Sequence, residues 1–571
     1  MNGSRVQLSR SLIWIFPILF FIGFYFYPMG SIFWRTFGSA AREIPAHQVN
    51  WTITEKAIGF TFYQAALSTF CTLLIGLPAA LLFGRFSFRG KKVLRIFSTL
   101  PFILPTVVVA AGFNALIGPN GWLNLMLMQI LHISSSPIKL LNSVPAIVIA
   151  HVFYNTSIVI RVVGGAWEQL DRKIENAARM LGASPWNVFW KITLPLLMPA
   201  TLSAAILVFL FDFTSFGVIL MMGGAKYTTI EVEIYIQTMQ FLNLRMAGML
   251  SMIQLAFSML LTFLSLKLGK GKHIPLVPVI AGEGLKKADR MIEKLFITVT
   301  VGLLLIFLVS PTMALLLRSF LSFSGSASAN QYQPMHFTLE HFLGLSTNDR
   351  RSLFFVPPIA AIKNSMLYAV ASMTISVLLG SIISFGNSQK GRSKRWLDLL
   401  IMLPLGTSAV TLGLGYLTVF STSPGSIRWY PVLIPIAHAI ISLPFVVRII
   451  QPAIQAIPTN LHDAARTLGV SKKRLWREID LPLIKSSLIS AAIYAFSISL
   501  GEFGATSFLS RPEYPTMPLA IFRYLNLPGA DNYGKAMAMA AILLLVCGVG
   551  FAMIERLQRN RSGLDGKRYD A

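Results

Sequence analysis

Asp212, in Phe211-Asp212-Phe213, and Glu502, in Gly501-Glu502-Phe503, are carboxylates set inside runs of apolar residues. An ionisable group in a membrane interior is costly, so both are candidates for work on a solute. Each has a serine three residues away, Ser215 after Asp212 and Ser499 before Glu502, which places acid and hydroxyl on one helix face. Such a stripe, facing a central pathway, would attract a hard cation or a cationic organic molecule. The competing expectation is a carboxylate that only hydrogen-bonds a neighbouring helix. His151 and His438 stand in matching contexts, Ala150-His151 and Ala437-His438. A duplicated residue serves architecture common to both copies before it serves a solute that unlike halves would contact differently. Other chemistries lack their residues: no Gly-x-x-x-x-Gly-Lys-Ser/Thr phosphate loop, no His-Glu-x-x-His and no Gly-x-Ser-x-Gly occur. Cys71 and Cys547 lie in apolar runs, where a thiol is a small hydrophobe, so neither a disulfide framework nor a metal site is expected.

The elements that hold these residues must be membrane helices. Hydrophobic residues make up 54% of the 571 positions and charged residues 13%, too little polar surface for a soluble globule. Twelve apolar stretches are long enough to cross a bilayer, near 11–30, 59–83, 96–118, 143–163, 198–222, 244–266, 295–317, 363–386, 398–420, 431–450, 485–508 and 535–554. The net charge of +26 would suit a nucleic-acid binder, but the Lys and Arg fall between apolar runs and concentrate in alternate loops, as in Arg85, Arg89, Lys91, Lys92 and Arg95. That bias is the positive-inside pattern; it puts both termini in the cytoplasm, makes the lipid bilayer the partner and excludes nucleic acid.

The chain is also two copies of one unit. At an offset of 287 residues Arg161 aligns with Arg448, Ala177-Ala178-Arg179 with Ala464-Ala465-Arg466, Phe216-Gly217 with Phe503-Gly504, and Tyr227 with Tyr514. Six spans per copy return the chain to its starting side, so the copies are parallel repeats about an axis along the membrane normal. The expected division is a first repeat over 1–266, a polar cytoplasmic linker over 267–294 and a second repeat over 295–571.

The most specific pattern lies in the loop between the fourth and fifth spans of each copy. It reads as two short helices. Glu175, Asn176, Ala177 and Ala178 form the first, and Gly182 supplies the left-handed stop. Ser184 caps a second with Pro185 at its first position, before Ile192 and Leu194-Pro195 lead back to the membrane. The other copy repeats it with Asp463, Ala464, Ala465, Gly469, Ser471, Ile479 and Leu481-Pro482. Ala-Ala, three residues, Gly, nine residues, Ile, one residue, Leu-Pro resembles the EAA loop of permeases in binding-protein-dependent ABC importers of the type I fold. One departure is visible: the acid before the alanines is Asp463 in one copy, while the other has Asn176, with Glu175 a place earlier.

With two six-span units in one chain, the resemblance points to the ferric-iron and thiamine permease group, which the stretch Leu500 to Pro518 also resembles. It implies an all-α polytopic membrane protein of the inner membrane. It also implies that each loop seats in one subunit of a separate ABC ATPase, two copies per permease. ATP and magnesium are then bound by those partners and no cofactor by this chain, and an extracytoplasmic solute-binding protein delivers the cargo. Ferric iron is the first expectation for that cargo, because iron permeases are the commoner fused members, and thiamine is the alternative. A secondary transporter driven by an ion gradient is the rival of another class; it gives no reason for the doubled loop.

Overall fold

The structure is a computed structural model and describes residues 15–38, 50–133, 135–170, 172–268, 285–323, 335–346, 358–386, 400–420 and 430–566. Ten of its helices are long and apolar enough to cross a membrane, and two bent pairs bring the number to twelve. Each bent pair falls on a stretch read as one span. Lys91–Phe102 turns through 108° into Thr106–Leu131, and Leu400–Gly406 through 102° into Ala409–Phe420. Prolines and glycines sit at the turns, Pro101 and Pro105 in one, Pro404 and Gly406 in the other, where the missing donors of proline end a helix.

In each half two long helices cross at a glycine. An added methyl at Gly76, in Trp51–Arg85, would come within 2.7 Å of Val159 in Val144–Glu168. At Gly380, in Pro358–Gly386, it would come within 2.5 Å of Val446 in Tyr430–Gln455. With little hydrophobic force between helices in lipid, such small-residue contacts bring backbones close enough for dispersion to hold them. The two valines are 287 residues apart but the glycines 304. The repeat therefore changes register between them, and the first copy carries the extra residues in the region of the helix Trp122–Leu131.

The halves interlock. The opening span, Ile15–Phe37, lies on the bent pair of the second half: Tyr416 donates to the Phe24 carbonyl at 2.8 Å, and Tyr25 meets Thr407 at 2.6 Å. Met291–Phe320 in turn lies on the bent pair of the first, where Gly112 faces the Pro311 carbonyl and the Trp122 indole donates to Ala314 at 3.2 Å. Of the segment read as a linker, residues 269–284 lie outside the described residues. Its end is placed: Lys286-Lys287 pairs as a short parallel strand with Phe86-Ser87.

Two details differ from the sequence reading. The fifth and eleventh spans are not continuous: Leu194–Phe213 stops before a new helix begins at Gly217, and Leu481–Gly501 before one at Gly504. The apolar residues on either side of each break hid both in the average hydropathy. The segment after the first of them contains a buried helix, Ile230–Met239, rather than a loop throughout.

Candidate functional site

Two matched loops and two matched histidine clusters lie at opposite ends of the same pair of long helices. In the first loop, Arg172–Met180 ends as expected at Gly182, which takes φ +85°. The Ala183 amide donates back to Ala178 at 3.0 Å, the closure a left-handed residue allows. Ser184 caps Pro185–Val188 by accepting from the Asn187 amide at 3.3 Å. The second loop repeats this with Thr459–Thr467, Gly469 at φ +73°, the Val470 amide on Ala465 at 3.0 Å, and Ser471 accepting from Arg474 at 3.4 Å. Both loops then pass through a π-turn, Phe189–Thr193 and Trp476–Asp480, straight into the long helices. Pro195 and Pro482 provide no amide in the first turn of those helices, where a wider turn relieves the ladder.

Side chains of the two loops divide into an inner lock and an outer face. Glu175 is buried, accepts from Thr193 at 2.7 Å and pairs with Arg85 at 3.4 Å. Its equivalent, His462, meets Asp480, the equivalent of Thr193, at 2.7 Å. Glu175 is thus the counterpart of His462 and not of Asp463, and the apparent shift of the acid between copies disappears: Asn176 and Asp463 both stand exposed on the outer face. Beside them Ala177 and Ala464 are exposed, Ala178 is half-buried and Ala465 buried. Ile192, Ile479, Leu194 and Leu481 are half-buried at the foot of the long helices, with Pro195 and Pro482 exposed. Outside the spacing read from the sequence lie two of the most exposed apolar groups among the described residues: Leu181 is 89% and its equivalent Leu468 82% exposed, each just ahead of the glycine. Their matched position was the available signal. Lys91 and Arg95, two of the basic residues between the second and third spans, both reach Glu168, so that loop is tied to the helix leading into the first matched loop.

At the far ends, the structure brings together all six residues named from the sequence, three in each half. His151 Nδ1 lies 3.4 Å from Asp212 and its Nε2 2.8 Å from Ser215. His438 Nδ1 lies 2.8 Å from Ser499 and its Nε2 3.1 Å from Glu502. Asp212 also accepts from Asn155 at 2.6 Å, and Ser68 meets His151 Nδ1 at 3.1 Å. Glu502 caps the next helix, taking the Ala505 and Thr506 amides at 2.8 and 3.0 Å. Directly after each cluster comes a phenylalanine, and Phe216 and Phe503 stack across the two halves with centroids 5.4 Å apart at 26°. Tyr235 packs on Phe216 and its equivalent Phe522 on Phe503, completing an aromatic cluster between the halves.

One carboxylate escaped the sequence reading. Glu231 is fully buried, accepts from Gln254 at 2.9 Å and from Ser408 of the second half, and so bridges the two copies. It sits one turn before Tyr235 on the buried helix. The segment lies between the spans expected at 198–222 and 244–266, where an acidic residue is not singled out.

Comparison with known proteins fits this arrangement. The thiamine transport system permease protein of Escherichia coli (strain K12) is 23% identical over 509 residues, 88% of either chain. The corresponding protein of Haemophilus influenzae is 25% identical over 510 residues, again 88% of each. The ferric transport system permease protein of Actinobacillus pleuropneumoniae is 25% identical over 561 residues, 96% of this chain and 77% of its own. The family model of the binding-protein-dependent transport system inner membrane component matches residues 76–271 and again 375–563. Matched twice over most of its length, with one loop and one histidine cluster in each copy, the chain belongs to that family of multi-pass inner-membrane permeases.

Proposed function

We propose that this chain is the complete translocation unit of an ATP-driven importer for a small cationic solute, of the class that thiamine and ferric iron represent. The observation that carries the reading is the continuity of each loop with a broken helix: exposed Leu181 and Leu468 stand at one end, and the stacked Phe216 and Phe503 just past the other. The aromatic cluster acts as a plug in the pathway, and a partner that gripped both loops would pull on both ends of it. Two ATPase subunits, one per loop, are the partner, and they bind the ATP and magnesium; the chain itself transports and does not hydrolyse. Their closure biases the bundle outward-open to receive solute from the binding protein, and their release returns it, which is alternating access. Both loops and both termini then face the cytoplasm, on the side with the basic excess. Relatives named for thiamine and for ferric iron match about equally well, so both cations are the solutes to try.

The test is co-purification of the full chain with its cognate ATPase, comparing the parent with Leu181→Asp/Leu468→Asp. The exposure of both leucines leaves folding intact and puts two charges on the docking face. Loss of the ATPase from a variant still at parental membrane level supports the reading; equal binding by both overturns it. Uptake of radiolabelled thiamine and of radioactive ferric iron by cells carrying the parental complex then assigns the solute. Uptake that persists without the ATPase and follows the proton gradient would make the chain an ion-driven transporter.

A further inference from the structure

We infer that His151 and His438 are positioning residues that hold the two helix breaks closed, and that they do so as opposite tautomers, with the proton on Nδ1 of His151 and on Nε2 of His438. The inference rests on the transport reading only for its consequence; its geometry stands apart. In both halves Nδ1 faces a residue in the last turn before the break, Asp212 or Ser499, and Nε2 faces the residue next to the phenylalanine, Ser215 or Glu502. The framework is therefore the same in the two copies while the chemistry is exchanged: carboxylate then hydroxyl in the first, hydroxyl then carboxylate in the second. A carboxylate only accepts, so the ring nitrogen beside it carries the hydrogen: His438 Nε2 faces Glu502 and the Thr506 hydroxyl at 3.1 and 2.9 Å, and His151 Nδ1 meets the Ser68 hydroxyl at 3.1 Å with the Asp212 carboxylate 3.4 Å away. The other nitrogen of a neutral imidazole accepts, and the hydroxyl beside it donates. Each ring thus ties its own helix, Val144–Glu168 or Tyr430–Gln455, to the end of the long helix that comes up from the loop.

Burial assigns these groups to holding rather than to binding. His151, Asp212, His438 and Glu502 are all buried, and both rings are occupied on both nitrogens within their own half. What the clamps set is the position of the next side chain, Phe216 or Phe503, and those two meet at the centre. The exchange also predicts that a clamp can be rewired. A glutamate at 215 would stand toward His151 Nε2 and the first-turn amides of Gly217–Met222 as Glu502 stands toward His438 Nε2 and the amides of Gly504–Leu509.

Two measurements test this. Nitrogen-15 spectra of histidine-labelled full chain in lipid nanodiscs, assigned with His151→Asn and His438→Asn, should show the proton on different ring nitrogens of the two residues. The same tautomer in both, or two doubly protonated rings, would overturn the inference, and neither result depends on any partner. The second measurement uses the permease reconstituted with its ATPase, with radiolabelled thiamine and radioactive ferric iron as probes. Asp212→Ser should lower uptake about tenfold, because the carboxylate that favours the proton on His151 Nδ1 and accepts from Asn155 is lost, and raise ATP hydrolysis in the absence of solute as the plug loosens. Asp212→Ser/Ser215→Glu should bring both values back to within about twofold of the parent. A double variant as impaired as the single one means that position 212 needs its carboxylate for something other than His151, and the positioning role fails. A complex that never forms counts against the transport reading and leaves the spectra to decide this one.

Discussion

Single side chains differ here in how completely they are satisfied, and that sets the size of the expected effects. Both oxygens of Glu502 are used, by the Ala505 and Thr506 amides, the Thr506 hydroxyl and His438. In Asp212 one oxygen is bonded and Oδ2 is buried without a partner. Glu502→Gln puts an amide donor against a backbone amide and should cost about 1–3 kcal/mol, the desolvation penalty of a buried donor left unmatched. Asp212→Asn can keep the bond from Asn155 and place its new donor where no partner is lost, so its cost should stay below about 1 kcal/mol. Thermal unfolding of the two purified variants in the same lipid measures the difference; equal shifts would mean that the second cluster is no better held than the first. Ser408→Ala belongs to the same argument. It removes the hydroxyl by which the second half donates to buried Glu231, leaving the bond from Gln254, and should lower the unfolding temperature, whereas Thr374→Ala, an exposed hydroxyl bonded within its own helix turn, should leave it unchanged. Asp212 and Glu502 could be found from the sequence because an acid inside an apolar run has no bland context. Glu231 could not, because it falls between two expected spans, and only tertiary contact with Gln254 and Ser408 makes it interior.

At the scale of helices, what was legible is what repeats. Apolar length gave the spans, and the offset of 287 gave the loops down to their caps, since Gly182 and Gly469 both take the left-handed conformation that their place after a helix required. The breaks at 214–216 and 502–503 were not legible, because hydropathy averages over a window and the residues on both sides are apolar. Nor was the inward turn of Glu175, one position from an exposed Asn176, since which face of a short helix is covered depends on the element packed on it. The glycine crossings are a property of the same scale. A methyl at Gly76 or Gly380 would meet Val159 or Val446 well inside ordinary contact distance. Gly76→Ala and Gly380→Ala should each destabilise by about 1–3 kcal/mol, the usual cost of overpacking. Gly165→Ala and Gly302→Ala, where nothing lies within 4 Å, should be neutral or stabilising by up to about 1 kcal/mol, because alanine is the better helix former. Denaturation of the four variants side by side checks it. A loss at Gly165 or Gly302 as large as at Gly76 would show that helix propensity, not the crossing, governs these positions.

For the molecule as a whole the decisive feature is that neither half is closed on itself. The first span of each copy packs on the bent pair of the other, through Tyr416 and Phe24, and Gly112 and Pro311. Glu231 and the Phe216–Phe503 stack add contacts at the centre. A chain cut between 276 and 277, in the segment read as a linker and outside the described residues, should therefore reassemble when its two pieces are made together. Gly112 facing a backbone carbonyl, and buried hydroxyls bonded across the halves, are unsatisfied or void in a lone half, and lipid offers no hydrogen bonds to replace them. The expected outcome is that an affinity tag on residues 1–276 recovers residues 277–571 in equal amount when the two are co-expressed, and that either piece alone accumulates to a small fraction of that level. The short strand between Phe86-Ser87 and Lys286-Lys287 survives the cut and should guide the pairing. Stable accumulation of the first piece by itself would mean that six spans bury their own polar groups without the exchange, and the two copies would then be neighbours that dock rather than halves that complete each other.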